Sequence, residues 1–573
     1  MKRRIVATLL AAVITVTTVG CGGAANQGAA AATEGSPEAA SETSEEAATE
    51  EAAESGDAKE ASAGSASKYQ TTYGSKQFDN VTISVELFDR SNAPEGSTIT
   101  ENRWTKYCRD AMAKVGIKVE FVAVPRGDEV TKMQTMMSTN TAPTILGTYT
   151  FSYARDYFDQ GGIWDLTDFV AGDDQAVNLK KYIGQNCLDF GTTENGQTFG
   201  IVARRATVAQ HNIFIRKDWL DALGLDVPKN TDELYEACVK FVNENPDGLA
   251  PSEVFGAIFD GLSQWNNDSI VFRAFSKDAN DKKALAVGSG FEYYTDEGYI
   301  DYLKYVNKFY NEGLMNKEYF AQSDDQLKEY FVTDRIGFLE ANVGYNVDIL
   351  RGGLLQTLKE NYPDADMIAM HPFESNVYPG ESFQPAYGEG GLMCFCPLTA
   401  TEEQVEAAIT YLDWLSTEEG GFAIYHGIEG EHFNYNEDGV PIPIDADFNQ
   451  KDKDWIRTDL FLVGNQGYFT DTESFNLNIA ADNPGWEQYT IDDYEAALEG
   501  TLIAGPLDLP TPESQVEASN DLNIVRENYL TKCITCKPEE VEGIYEEWRK
   551  AAEDAGISQV LADREAVYDA VHP

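Results

Sequence analysis

A chain of 573 residues exceeds what one hydrophobic core supports, so two folded domains are expected. Its 96 acidic residues outnumber 43 basic ones for a formal charge of −53, a surface that repels nucleic acid and anionic membranes and suits an uncharged or cationic ligand. With 29 Tyr, 28 Phe and 8 Trp, the composition is globular rather than disordered.

The amino terminus reads as an export signal. Lys2, Arg3 and Arg4 precede the apolar run from Ile5 to Val19, too short and wrongly flanked for a stable membrane span, which gives a signal peptide over 1–20. Cys21 follows Thr18-Val19-Gly20 in a lipobox-like setting, with Thr18 where Leu is usual, and is expected to be the lipidated residue. Residues 21–68 are Ala, Glu, Ser and Gly with hardly a large apolar side chain. Such a stretch buries no core and forms an acidic disordered tether with an end-to-end distance on the order of 40 Å. The expected location is the extracellular face of the cell membrane, by lipid anchor. No second apolar span follows, so the chain is not expected to be a permease itself.

The folded body is expected from about Phe78. Val81, Ile83, Val85 and Leu87 alternate with Thr82, Ser84 and Glu86, the period of a strand. A helix with Trp104, Cys108, Ala111, Met112 and Val115 on one side follows, then a strand over 117–124, a helix through Val130, Met133 and Met137, and a short strand at Thr144-Ile145-Leu146. This alternation predicts an α/β fold with a mostly parallel sheet covered by helices. No Gly-rich dinucleotide fingerprint or phosphate loop occurs. In open α/β sheets ligands sit beyond the carboxyl ends of the strands, which here carry Asp89 and Arg90, then Arg126, then Thr148 and Tyr149. Flat aromatic faces and planar polar groups together are what a sugar ring requires. Asp and Ser at such positions also form turns for local reasons alone.

Phe214 to Leu225, a short strand entering a helix, is followed by Asn230-Thr231-Asp232-Glu233, where Asn230 caps the next helix and Glu233 is placed to reciprocate. Leu234, Cys238, Phe241 and Val242 form its apolar stripe. Trp265 beside Asn266, in a polar loop, is a platform candidate with hydroxyl partners at hand. Tyr299 to Tyr310 is a helix ending at Gly313, and Arg335 to Asn342 a buried strand with Asn342 at its polar end. Thr399 and Glu402 have capping-box spacing ahead of the stripe Val405, Ala408, Ile409, Leu412 and Leu415. Then comes Tyr425-His426-Gly427-Ile428-Glu429-Gly430-Glu431-His432-Phe433, where Glu429 and His432 are placed to pair across a tight passage. Trp486, within Asn483-Pro484-Gly485-Trp486-Glu487, is the second platform candidate. Asp445, Asp447 and Asn449 have the first oxygen positions of a calcium loop without its Gly and Glu, so no metal and no cofactor is expected. Cys394, Cys396, Cys533 and Cys536 are spaced as a four-thiolate site would be, but the first two lie in an apolar strand and read as core thiols.

Several of these passages resemble the family 1 extracellular solute-binding proteins of bacterial ABC importers: Phe214 to Tyr235, Gly161 to Thr167, Thr198 to Val202, Tyr299 to Leu314 and Arg335 to Asn342. The Tyr425–Phe433 passage is similar to the Tyr-Gly-x-Glu-Gly-x-His-aromatic pattern of the lipoprotein, oligosaccharide-binding branch, with His426 inserted. The resemblance implies a two-lobed, Venus-flytrap fold: a first lobe over 78–205, a second over 206–330, a return to the first over 331–371, and the second again over 372–573 with bracing helices at its end. It implies a monomeric receptor that takes an oligosaccharide, or in some members a peptide, and delivers it to separate permease subunits. No catalytic residues are expected. A secreted glycoside hydrolase and a surface glycan adhesin are the alternatives; Glu429 and Glu431, on one short loop, do not flank a bond from opposite sides.

Overall fold

The computed structural model describes residues 68–572 except 260–268, 349–352, 438, 466, 470 and 506–508. The signal, Cys21 and nearly all of the tether lie outside the described residues, as do Trp265 and Asn266. The folded body begins earlier than Phe78: Tyr69 stacks on Phe169 with ring centroids 4.0 Å apart, and Thr71 Oγ1 donates to the Phe169 carbonyl at 2.7 Å.

Along the chain the strands are β1 (Val81–Asp89), β2 (Ile117–Pro125), β3 (Leu146–Thr148), β4 (Ile201–Arg205), β5 (His211–Arg216), β6 (Phe255–Ile258), β7 (Ile336–Asn342), β8 (Met367–Met370), β9 (Phe383–Ala386) and β10 (Gly390–Phe395). They continue with β11 (Phe433–Tyr435), β12 (Pro441–Pro443), β13 (Gly464–Asn465) and β14 (Thr501–Ala504).

In the first lobe β2 and β1 run parallel, with Val81 opposite Ile117. Ile145 bonds on both sides to β1, its N–H to the Ser84 carbonyl and its carbonyl from the Glu86 N–H, joining them to β3, then β10, β4 and β13. β10 is antiparallel to both its neighbours. The second lobe has the order β6-β7-β5-β8, with β5 antiparallel to β7 and β8. The expected two-lobed α/β fold is therefore present with mixed sheets, each lobe holding one reversed strand among parallel ones.

The lobe boundaries differ from the sequence reading. The segment 331–371 does not return to the first lobe, because β7 pairs along its length with β5 and, in parallel, with β6. Nor does 372–573 stay in the second lobe. β10 sits between β3 and β4, and the helix Glu402–Leu415 buries Val405, Ile409, Trp414 and Leu415 in the first lobe's core. Apolar periodicity identifies a strand but not the strand it will pair with, and these partners lie far apart along the chain.

Local signals fare better. The helix Arg103–Ala113 opens on an Asn102/Thr105 capping box and buries Trp104, Cys108, Ala111 and Met112 as the spacing predicts. Asn230 accepts from Glu233 N at 2.9 Å, but the Glu233 carboxylate takes the Lys229 N–H rather than that of Asn230. The later capping box is formed by Thr401 and Gln404, not Thr399 and Glu402. Gly313 takes the left-handed C-cap expected of it, at φ 76°.

Two buried acids show what the packing imposes. Glu86 is buried between β1 and β3, where its carboxylate accepts from Gly147 N at 2.7 Å and desolvation pushes its pKa up to about 7. Arg216, at the end of β5 and 1% exposed, forks onto Asp218 at 2.8 and 2.6 Å, lies 3.4 Å from Asp247 and 4.2 Å over the Trp219 ring, and bonds to buried Asp334. Burial pushes Asp334 up to about 6 despite the guanidinium beside it.

Candidate functional site

The strand directions bring four chain segments to one edge of the first lobe. Asp89 lies opposite Pro125 in the parallel β1–β2 pair, so Arg90 and Arg126 emerge together. β3 is parallel to β1, and β4, antiparallel to β10, shares that direction. Tyr149 and Arg205 therefore leave the sheet at the same edge, facing the crossing into the second lobe.

Aromatic and guanidinium faces are layered there. Arg126 lies 5.1 Å over Phe88 and 4.9 Å over Tyr149, the two rings being stacked 6.2 Å apart, and it is ion-paired with Glu129. Burial raises the Tyr149 pKa above the phenol range, leaving a neutral hydroxyl. Arg90 is forked onto Asp459, Nε to Oδ2 at 2.8 Å and Nη2 to Oδ1 at 2.9 Å, a pair whose acid is buried. Thr148 is 1% exposed and its hydroxyl accepts from Thr150 N at 3.1 Å, while Asp89 Oδ1 accepts from Ser91 N at 2.8 Å. These two are turn formers in this structure.

The crossing is a hydrogen-bonded ribbon. Arg205 N donates to the Glu389 carbonyl at 3.0 Å, Tyr387 N to that of Val208 at 2.9 Å, and Ala209 bridges Ala386. On one side a cavity of about 440 Å³ is lined by Gln210, Tyr387, Gly388, Thr511, Gln515 and Arg564, among others. Asn342, closing β7, lies opposite His211 where β5 enters the second lobe, so it stands beside the crossing but on the second lobe rather than the first.

Two expectations fail on geometry. Glu429 is exposed and does not pair with His432; His432 Nδ1 accepts from Ile428 N at 3.1 Å and Nε2 bonds Asp452 Oδ2 at 3.0 Å. Asp452 also accepts from Trp104 Nε1 at 3.1 Å, so this passage is clamped onto the first lobe's leading helix. Trp486 is not an isolated loop ring: it precedes the helix Glu487–Ala496, packs 5.4 Å from Tyr489 and has Lys359 at 5.9 Å. Asp366 accepts the Tyr489 hydroxyl at 2.5 Å and heads β8 at the end away from the crossing. The calcium-like stretch is spent on capping, Asp445 accepting from Phe448 N at 2.9 Å. Cys394 and Cys396 are in the first lobe's core and Cys533 in the second's, so the four thiols are not brought together.

Arg205, Tyr387 and Asp459 were not singled out by sequence reasoning. The one available signal was Arg205 itself, ending a strand just before a crossing.

Two α/β lobes joined by a backbone ribbon, with strand ends facing the join, define a bilobal binding-protein fold. Residues 96–421, more than half of the chain, match the family Bacterial extracellular solute-binding protein, and the chain belongs to it. Over 321 residues it is 26% identical to the polygalacturonan/rhamnogalacturonan-binding protein YtcQ of Bacillus subtilis (strain 168), covering 54% of this chain and 58% of that one. The chain spans little more than half the length of the curated relatives it matches. Among solved structures it is similar to an extracellular solute-binding protein from Bifidobacterium longum subsp. infantis, with TM-score 0.62 and 16% identity over 87% of this chain and 99% of that one. The alginate-binding protein AlgQ2 has TM-score 0.58 and 17% identity over 88% and 100%. At these identities the two structures bear on the fold alone.

Proposed function

We propose that this chain is the substrate-binding component of an ABC importer, taking up an oligosaccharide between its lobes and handing it to separate permease subunits. The observation that carries the reading is the stacked Phe88–Arg126–Tyr149 wall at the strand ends, beside the crossing ribbon. The Tyr149 face, held by Arg126 and the buried Phe88 ring behind it, serves the C–H surface of a sugar ring, and its neutral hydroxyl serves as donor to ring oxygens. Arg90, Arg126 and Tyr149 are the proposed contacts from the first lobe and Asn342 from the second. Asp89 and Thr148 shape the turns that present them. The saccharide-binding names of the relatives point the same way. Lipidation at Cys21, an extended tether over 21–68 and a monomeric state complete the proposal. Binding without catalysis is part of it.

The test is a thermal-shift screen of the soluble body against an array of oligosaccharides. A ligand that binds only the folded state stabilises it by about 2.7 kcal/mol at a hundredfold excess over its dissociation constant. The expected result is a shift by at least one oligosaccharide, recovered chemically unchanged after long incubation. New reducing ends would replace this reading with a hydrolase.

A further inference from the structure

The three arginines at the cleft edge are not equivalent. All three, with Asp459 opposing them, contribute to the field at the Tyr149 hydroxyl. Arg90 is neutralised by Asp459 and Arg126 by Glu129. Arg205 has no carboxylate partner among the described residues, although the chain holds 96 acidic side chains against 43 basic ones. Its guanidinium lies 4.0 Å over the Tyr387 ring; among the described residues its Nε is buried without a hydrogen-bond partner, and the charges that act on it are the Tyr387 and Tyr149 phenols. Desolvation lowers its pKa from the usual guanidinium value, the effect of burial that no counter-ion offsets. The neighbouring Arg204 takes the opposite face, its Nη1 lying 3.8 Å from where a Cβ on Gly184 would stand. The alternation of β4 thus turns Arg205 toward Tyr387 and Tyr149.

We propose that the oligosaccharide bound by this protein carries a carboxylate, and that Arg205 is the residue that reads it. The inference rests on the oligosaccharide-receptor reading and narrows its ligand to the uronates. One unpartnered guanidinium offsets one negative charge. A guanidinium held over a phenol ring is restricted in orientation, and its N–H fork matches a planar carboxylate bidentately. Arg126 and Tyr149, backed by buried Phe88, then lie where the ring bearing that carboxylate, or its neighbour, packs. The net charge of −53 does not oppose this, because exposed charges farther than about 10 Å are largely screened at 0.1 M salt.

The experiment uses calorimetry at pH 7 with trimers of galacturonate, glucuronate, mannuronate and guluronate. Each is paired with its uncharged methyl ester, beside a neutral glucan trimer and a sulfated trimer. At least one uronate is expected to bind ten- to a hundredfold more tightly than its ester. In Arg205→Gln the acid-to-ester ratio should fall to within about threefold of one; in Arg205→Lys, which keeps charge but loses the fork, it should fall to an intermediate value. A melt of each variant establishes that it is folded, and Arg205→Lys carries the test if Arg205→Gln is not. Esters binding as well as acids, a ratio unchanged in the folded variants, or preference for the sulfated trimer would each overturn the inference. Binding confined to neutral oligosaccharides overturns the inference and leaves the receptor reading standing. Failure of every oligosaccharide, charged or neutral, removes both.

Discussion

Replacing Arg216 by Met tests how the second lobe tolerates acids inside it. The guanidinium is 1% exposed and serves Asp218, Asp247 and Asp334, the last equally buried, while its face covers Trp219. Methionine keeps most of the volume and the contact with the indole, so the loss is electrostatic rather than steric. Breaking a buried ion pair from one side costs about 3–5 kcal/mol, because the remaining charge stays desolvated. The pH dependence follows from Asp334, whose folded pKa of about 6 lies above the usual 3.8. A carboxylate raised on folding contributes stability that is fully present below the lower value and is lost as pH rises through the upper one. Without Arg216 the folded value rises further, and the window of loss extends above pH 6. Urea unfolding at pH 5 and pH 7 should therefore show Arg216→Met destabilised by about 3–5 kcal/mol at pH 7 and by less than half of that at pH 5. Arg216→Met with Asp334→Asn should recover part of the pH 7 loss, the two sites being coupled. A deficit below about 1 kcal/mol at pH 7, or one equal at both pH values, would refute the argument.

Three further outcomes are expected. Trp414→Ala removes a fully buried ring packed among Tyr73, Tyr107 and Tyr411, and should cost about 3–5 kcal/mol in urea unfolding while leaving the ligand dissociation constant of the folded variant unchanged. Gly427 sits at φ 90°, ψ −150°, where an added Cβ would stand 2.4 Å from the His432 ring; Gly427→Ala should lower stability by more than about 2 kcal/mol and shift the His432 ring proton resonances. Asp459→Asn removes the counter-charge of Arg90 and should raise the acid-to-ester affinity ratio two- to fivefold by calorimetry; a lower ratio would mean that Arg90 is only structural.

What was legible in the sequence was local. The stripe of Leu234, Cys238, Phe241 and Val242, the cap at Asn230 and the left-handed Gly313 are set by residues within a few positions of one another. The strand-end residues Arg90, Arg126 and Tyr149 came together because parallel strands carry their carboxyl ends to one edge. The lobe of β7 was not legible, because a buried strand with a polar end looks the same in either sheet. Trp486 misled for a related reason: among Asn, Pro and Gly it looked solitary, whereas the helix behind it brings up Tyr489. Glu429 and His432 are close in sequence, yet the partner of His432 is Asp452, outside the motif. Arg205 was invisible as a site because its distinguishing property is a missing partner, which depends on every neighbouring element at once.

The crossing ribbon has a consequence for how tightly a ligand holds. Residues 205–209 and 386–389 cross side by side and are bonded to each other, so any swing of one lobe must bend or twist both passages together. Paired backbones give up far less freedom on closing than separate coils, for which fixing each residue costs about 1–2 kcal/mol. Apparent affinity equals intrinsic affinity multiplied by the fraction of molecules already closed. Substitutions in the ribbon that touch no ligand would thus rescale the affinity for every ligand by one common factor, leaving the order of preference to the strand ends.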